Sequence, residues 1–404
     1  MTIAVVIAAG QGTRMRPLTE TRPKPLLPVA GQTLLEHVLD ACADEVERYV
    51  LVVGYEAEQV RERIGTEYAN HPVDYVTQDE QLGTAHAVEQ AREYVDERFL
   101  VLNGDVIISP ALVRELAHTE GSAMAVKPVD EPQNYGVVAL DDSTVTKVVE
   151  KPENPPTNLA NLGLYAFEPE AFEYIEETEL SERGEYEITE SLQRYIDAGN
   201  DVTAVEYDGP WLDVGRPWEL LEANEHLLAD LDHDIRGTVE ECVTLNGPVV
   251  VEEGARVRDG AYIEGPVVIQ AGADVGPNAY VRGATVIGPD VRVGNAVEVK
   301  NSTLMENTSC GHLTYVGDSV LGADVNFGAG TTVANLRHDD QNVRVRVKGE
   351  CVDTGRRKFG VVVGDRTKTG IDTSLNAGVK LGVGTRTKPN ETVTRDRNTE
   401  YSDD

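Results

Sequence analysis

Lysine is scarce in this chain. Ten of its 36 basic residues are lysines, and those 36 face 70 acidic residues, for a formal net charge of −34. A surface that negative repels nucleic acid and anionic membrane, which excludes both as partners. The acids run through the whole chain among apolar segments, which argues against a disordered acidic tail. Adaptation to a high-salt cytoplasm, where self-repulsion is screened, fits that pattern. Cysteine is nearly absent. Cys42, Cys242, Cys310 and Cys351 stand far apart, with no zinc-site or redox spacing, and read as free thiols in a reducing compartment. The apolar run 3–9 is too short for a signal-peptide core. No stretch approaches the roughly 20 apolar residues needed to cross a bilayer. The expected location is the cytoplasm.

What the chain does have is a period of six. Val251, Val257, Ile263, Ile269, Val275, Val281, Ile287, Val293 and Val299 follow one another without a miss. Neither a helix nor a flat strand repeats at six. A three-sided coil with one inward aliphatic per face does, which predicts a hexapeptide parallel β-helix. Gly254, Gly260, Pro266, Gly272 and Asn278 supply the corners. The solenoid is expected from about Gly237. One basic segment, Arg337–Lys358, interrupts it with seven basic and four acidic residues. Rungs resume near Gly360, with Val363, Leu375 and Leu381, and the polar tail after Asn390 is expected to fray.

The first half reads differently. Short apolar strands are expected at 3–8, 49–53, 73–76 and 99–102, with helices at 32–45, 56–64 and 85–95 between them. That alternation predicts a doubly wound, Rossmann-like α/β sheet. Strands near 122–127, 136–140, 145–149, 163–167 and 202–206 enlarge it, and a helical linker is expected at about Trp218–Asp230. A chain of 404 residues suits two domains. The division expected is 1–225, a linker at 226–236, and 237–404.

The loop after the first strand, AAGQGTRMRP, has the makings of a phosphate cradle. Gly10 and Gly12 let backbone N–H groups turn toward an anion. A dinucleotide fingerprint fails because Met15 stands where its third glycine belongs, and no Gly-Lys-Ser/Thr follows for a P-loop. Arg14, Arg16, Arg22 and Lys24 follow closely, and prolines 17, 23, 25 and 28 hold that stretch extended. The bland alternative is a rigid surface loop with solvated charges.

GQGTRMRPLTETRPKPLLPVAG is very similar to the signature of sugar-1-phosphate nucleotidylyltransferases. QDEQLGTAHAV, LNGD, NYGVV, EKP, NLGLYAF and WLDVG follow in the family's order across about residues 1–220. The resemblance implies that a sugar 1-phosphate attacks the α-phosphorus of a nucleoside triphosphate and expels pyrophosphate. It implies catalytic roles for Arg14 and Lys24, and nucleotide contacts at Ala9, Gly10, Gly12, Gln78, Gly83 and Thr84. It implies Mg²⁺ at Asp105 and Asp213, and sugar contacts at Gly136, Glu150, Lys151 and Asn161. The chemistry is coherent, because phosphoryl-type transfer needs charge stabilisation more than acid–base work. A glutamine at 78 offers the donor and acceptor that a pyrimidine edge requires. Uracil and thymine differ by one methyl, worth about 1–3 kcal/mol, so use of both UTP and dTTP is compatible with the pattern. Singly, Asp105 could cap a turn and Glu150–Lys151 could be exposed ions.

VEVKNSTLMENTSCGHLTYVGD resembles the acetyltransferase half of bifunctional N-acetylglucosamine-1-phosphate uridylyltransferases. The resemblance implies a left-handed β-helix, a homotrimer with sites between subunits, and acetyl-CoA as acyl donor. It makes His312 the general base and Arg282, Lys300 and Tyr315 the sugar-phosphate binders. Asn326 becomes a sugar contact and Asn335 an acetyl-CoA contact. An ammonium must lose a proton before attacking a thioester, and imidazole is suited to take it. Arg282 and Lys300 are three hexads apart and should share a face, as a cationic socket for one phosphate. After Asn335 the sequence departs from the bacterial pattern, and KTGIDTSLNAGVKLG is closer to archaeal relatives. The basic segment 337–358 is expected to contact coenzyme or sugar phosphates. Alone, His312 could be a structural hydrogen-bonding partner.

The expected protein is a bifunctional enzyme that acetylates glucosamine 1-phosphate and joins the product to UTP. One alternative is a glucose-1-phosphate thymidylyltransferase or uridylyltransferase whose β-helix only assembles or regulates; His312, Lys300 and Asn335 discriminate against it. Another is a non-catalytic interaction protein with a degenerate domain, against which Arg14, Lys24, Asp105 and Asp213 argue.

Overall fold

The computed structural model describes residues 2–399. Contacts divide the chain into two compact units. The first comprises residues 1–11, 23–26 and 34–213; the second comprises 12–22, 27–33 and 214–404. The glycine loop is therefore cut between Gln11 and Gly12.

The first unit is built on β1 (Ile3–Ala8), α1 (Leu34–Cys42), β2 (Arg48–Val53), α2 (Ala57–Ile64), β3 (His71–Thr77), α3 (Thr84–Glu89), β4 (Phe99–Asn103) and α4 (Pro110–His118). It continues with β5 (Ser122–Pro128), β6 (Gly136–Asp141), β7 (Thr144–Glu150), β8 (Leu159–Phe167), α5 (Ala171–Glu176), α6 (Ile188–Asp197) and β9 (Val202–Glu206). The nine strands lie in the order β6-β7-β9-β5-β8-β4-β1-β2-β3, with Glu67–Tyr68 completing the β3 edge. β1 pairs in parallel with both β2 and β4, while β8 runs antiparallel to its neighbours β4 and β5. Alternate residues of β1 point to opposite faces: Ile3 and Val5 join the core with α3, α5 and α6, and Ala4 and Val6 join the core with α1, α2 and α4. That two-sided burial explains why β1 reads as an unbroken apolar run. The chain leaves β1 and β4 side by side at their carboxyl ends, where open α/β sheets place ligands.

Helix α4 was not among the sequence expectations, although its start is marked. Ser109 Oγ accepts the Leu112 N–H at 3.3 Å, and Pro110 follows at the first helical position. The burial of Cys42 and Cys310 pushes both thiols up to about 12, which makes them inert.

The second unit contains α7 (Pro217–Leu227) and three parallel sheets of short stacked strands. The nine aliphatics at the period of six are all buried to 0% exposure. Burying one such side chain contributes about 1.5–3 kcal/mol, which only the neighbouring coils can supply. Stacking starts at Asp234–Ile235, ahead of the expected Gly237, and α7 packs Trp218 edge-on to Phe359. Partner residues step by one full coil from Val281 to Val299, but the next partner is Val316, one residue short of that spacing. The buried Leu304 and Leu321 absorb these one-residue deletions. The segment 337–358 contains an antiparallel hairpin, Arg344–Val347 with Glu350–Asp353. The tail does not fray at Asn390: Thr392–Val393 pairs with Ser374–Leu375, and Val393 is fully buried. Its polar composition hides that one aliphatic. Residues 400–404 lie outside the described ones.

Candidate active sites

In the first unit, β4 ends at Asn103-Gly104-Asp105. Gly104 donates its N–H to Ile7 O at 2.9 Å, and a Cβ there would stand 2.8 Å from that oxygen, so the backbone passes close beside β1. Lys24 is buried, and its Nζ meets Asp105 Oδ2 at 2.5 Å. Leu212–Asp213 forms a short antiparallel ladder with Val106–Ile107, which sets Asp213 opposite Val106, the residue that follows Asp105. Among the described residues no group of three or more His, Cys, Asp or Glu could hold a metal unaided. Mg²⁺ suits such a sparse set, because it keeps waters and takes phosphate oxygens. Gly10 has open space where a Cβ would point.

Gln78 is 3% exposed, and its amide nitrogen lies 3.1 Å from Gly83 O and 2.9 Å from His86 Nδ1. Its donors are therefore used inside the protein, which leaves the expected two-way reading of a base edge without structural support. Gly83 has φ +120°, and a Cβ there would fall 2.4 Å from Tyr186 O; no other residue fits. Thr84 Oγ1 accepts the Ile188 N–H at 3.0 Å and so satisfies the start of α6.

Gly136, Glu150 and Asn161 come together. A Cβ on Gly136 would stand 3.2 Å from Glu150 Oε2 and 3.4 Å from Asn161 Cβ. Glu150 is not a solvated ion: it accepts from Arg183 Nη1 at 3.0 Å and Thr189 Oγ1 at 3.3 Å, with Lys151 Nζ at 3.6 Å. Desolvation, with the charge of Glu150 added, raises the carboxyl of Glu187 from its ordinary value. Arg183 and Glu187 carried no motif and were missed in the sequence.

In the second unit, Gly12 takes φ 61° before the short turn Thr13–Met15 that carries Arg14. A Cβ on Gly215, in WLDVG, would stand 2.9 Å from Arg14 Nη2. Two sheets of the solenoid carry the remaining candidates. Arg282 and Lys300 are register partners on one sheet, as are Glu298 and Tyr315. His312 ends a strand of another sheet, where Ser309 pairs with Asn326. The corner between 312 and 315 joins the two sets.

Neither cation of the expected socket stands alone. Arg282 Nη2 meets Glu298 Oε1 at 2.7 Å, a bond that raises its guanidinium further. Lys300 Nζ lies 2.9 Å from Asp318 Oδ2. Asp318 is 2% exposed and also accepts from Asn301 Nδ2 at 3.0 Å and Asn335 Nδ2 at 2.5 Å. Asn335 Nδ2 reaches Tyr315 Oη at 3.1 Å, and burial raises that phenol. A carboxylate can only accept, so it fixes which end of the Asn335 amide faces inward. Asp318 was missed. It closes the quoted segment VEVKNSTLMENTSCGHLTYVGD and stands eighteen residues, three hexads, after Lys300, so the spacing already pointed to it.

The basic segment is largely paired within the chain. Arg356, its side chain 15% exposed, is bonded to Glu225 of α7, with its Nη1 at 3.0 Å, and has Glu222 at 3.7 Å. Arg337 pairs with Asp339 and Arg357 with Asp340. Arg344, Arg346 and Arg395 line an open cavity of about 480 Å³, with Asp396 and Cys351.

The sheet and its switch-point loop define a nucleotidyltransferase, continued by a parallel solenoid. Residues 3–230 match the nucleotidyl transferase family model, and residues 263–378 match that of the GMPPB C-terminal domain. The chain is 46% identical to the bifunctional protein GlmU of Methanocaldococcus jannaschii, over 94% of this chain and 91% of that one. It is 37% identical to the bifunctional sugar-1-phosphate nucleotidylyltransferase/acetyltransferase of Sulfurisphaera tokodaii, over 97% of both. A crystal structure of a putative glucose-1-phosphate thymidylyltransferase from Bacillus anthracis covers 58% of this chain and 98% of that one, with TM-score 0.53 and 28% identity. The chain belongs to the bifunctional sugar-1-phosphate nucleotidylyltransferase/acetyltransferase family.

Proposed function

We propose that this protein acetylates glucosamine 1-phosphate with acetyl-CoA and then transfers uridylyl from UTP to the product, releasing pyrophosphate. The carrying observation is the gathering of Lys300, Tyr315 and Asn335 around one buried carboxylate, on the corner that bears His312. Beside the hydroxyl ladders of the other described corners, this one alone brings a lysine and a carboxamide to a buried carboxylate, the kind of polar set that binds a charged sugar.

Nucleotidyl transfer is assigned to residues 1–225 and acetyl transfer to 237–404. Arg14 and Lys24 stabilise charge on the α-phosphorus and on the leaving pyrophosphate. Asp105 and Asp213 would hold Mg²⁺, which supplies further neutralisation of the triphosphate. Ala9, Gly10 and Gly12 offer backbone to the phosphates; Gln78, Gly83 and Thr84 shape the base pocket. Gly136, Glu150, Lys151 and Asn161 receive the sugar. In the second reaction His312 takes the proton from the substrate ammonium, the freed amine attacks the thioester carbonyl, and the C–S bond breaks to release coenzyme A, which takes up a proton as its thiol. Arg282, Lys300, Tyr315 and Asn326 bind the sugar phosphate, and Asn335 the acetyl donor. The cavity beside Arg344 and Arg346 suits the phosphates of coenzyme A, a role that Arg356 cannot share.

The solenoid is read as left-handed and the enzyme as a cytoplasmic homotrimer. Leu313 is 64% exposed and Ile371 53% exposed. Both lie near one corner, since Gly330 donates to His312 O and Asp372 to Ala329 O. Exposed apolar residues beside the general base suit a subunit boundary.

The test is thiol release from acetyl-CoA with glucosamine 1-phosphate, wild type beside His312→Ala, in parallel with pyrophosphate release from UTP with N-acetylglucosamine 1-phosphate supplied as acceptor. Thiol release by wild type alone supports the reading. Its absence in both, with pyrophosphate release intact, reduces the solenoid to a scaffold.

A further inference from the structure

The solenoid grips the segment that carries Arg14. Segment 12–22 belongs to the second unit, and three charged residues from separate coils hold it. Glu306 Oε1 takes Arg22 Nη2 at 2.5 Å. Asp365 Oδ2 accepts the Thr21 hydroxyl at 2.6 Å and lies 3.7 Å from Arg22 Nη2. The other oxygen of Asp365 is fixed by the Ala323 N–H at 2.8 Å, so this carboxylate is anchored to its own coil. Lys380 is 6% exposed, and its Nζ donates to Arg16 O at 3.1 Å. Pro17 packs so closely that a Cβ on Gly364 would stand 3.0 Å from Pro17 Cβ.

The next stretch of the same unit is held likewise. Asn224 of α7 accepts the Ala30 N–H at 2.6 Å, and Gln270 Nε2 donates to Gly31 O at 2.8 Å. Backbone atoms of a surface loop ordinarily bond to water. Here they are bonded by side chains of the second unit, of which Lys380 and Asn224 are buried. An ammonium buried at Lys380 is costly to keep and would not be used for loop packing that any apolar residue could provide.

We propose that Asp365 and Lys380 are positioning residues for nucleotidyl transfer: the β-helix sets the path of the loop bearing Arg14, so the first reaction depends on the domain proposed to perform the second. This rests on the proposed role of Arg14. Neither residue is placed in either active site.

The experiment uses the full-length chain with Asp365→Asn and, separately, Lys380→Met. Pyrophosphate release from UTP should lose at least fivefold in kcat in each variant, with KM for UTP and the acetyl-transfer rate within twofold of wild type. A smaller loss of kcat, or equal loss of both activities with a lowered Tm, overturns the proposal. Deuterium exchange gives an activity-free readout. Amides of residues 12–22 should exchange faster in both variants while those of α1 do not change, and unchanged exchange over 12–22 overturns the proposal. If wild type shows no nucleotidyl transfer but the exchange shift appears, the role given to Arg14 fails and the grip on the loop stands.

Discussion

Lys24 Nζ and Asp105 Oδ2 lie 2.5 Å apart, the lysine buried and the carboxylate 30% exposed. Removing the carboxylate strands a positive charge inside the protein, whereas removing the lysine leaves an acid that water can reach. Asp105→Asn should therefore destabilise by about 2 kcal/mol, less than the 3–5 kcal/mol of a fully buried pair because Asp105 is partly solvated. Lys24→Met should cost less stability. Both should lower kcat for pyrophosphate release by about 100-fold or more. Chemical denaturation beside steady-state kinetics checks the asymmetry; equal stability losses would contradict it.

The solenoid was legible because its rule is local. One inward residue per face repeats without reference to the rest of the fold, so Val251 to Val299 announce it. The shortened coils at Leu304 and Leu321 were not legible, since dropping a corner residue changes the spacing without changing any residue type. The nucleotidyltransferase motifs were legible for the same local reason, and the register pairs Asp213 with Val106, the residue after Asp105. Long-range pairing was not. Nothing near Arg356 points to Glu225, 131 residues away, and nothing near Lys380 points to Arg16. An excess of basic charge along the chain says little about which cations are already neutralised across the fold. The donors of Gln78, spent on Gly83 and His86, carry the same lesson.

Asp318 joins Lys300, Asn301 and Asn335, and its replacement separates the two reactions. Asp318→Asn keeps the shape but can satisfy only part of that set, and a hydrogen bond to a charged group contributes about 1.5–3 kcal/mol. The kcat/KM for acetyl transfer should fall about 10- to 100-fold, while pyrophosphate release stays within twofold. Comparable loss in both reactions would mean that Asp318 serves folding instead.

The basic segment divides into structural and exposed arginines. Arg356→Glu sets three acids together with Glu222 and Glu225, both already beside it. That variant should lose several degrees of Tm. Reversing Arg344 and Arg346, which line the cavity of about 480 Å³, should instead raise KM for acetyl-CoA about tenfold with Tm little changed. An unchanged KM would remove this cavity from the coenzyme's path.

Lys380 gives a pH dependence whose sign can be worked out. Burial lowers its ammonium to about 8 from an ordinary 10.5, against the opposing pull of Asp396 and Glu20. Below pH 8 both the folded and unfolded chains hold the proton, and the buried charge is a constant cost. Between about pH 8 and 10.5 the unfolded chain keeps a proton that the folded chain has released, so folding gains stability as pH rises. At 1.36 kcal/mol per pKa unit the whole gain is about 3 kcal/mol. Lys380→Met lacks this term. Unfolding free energies of wild type and variant, measured at pH 7, 9 and 10, should therefore shift in favour of wild type as pH rises. A difference that stays flat from pH 7 to 10 would mean that the ammonium is better solvated than its burial implies.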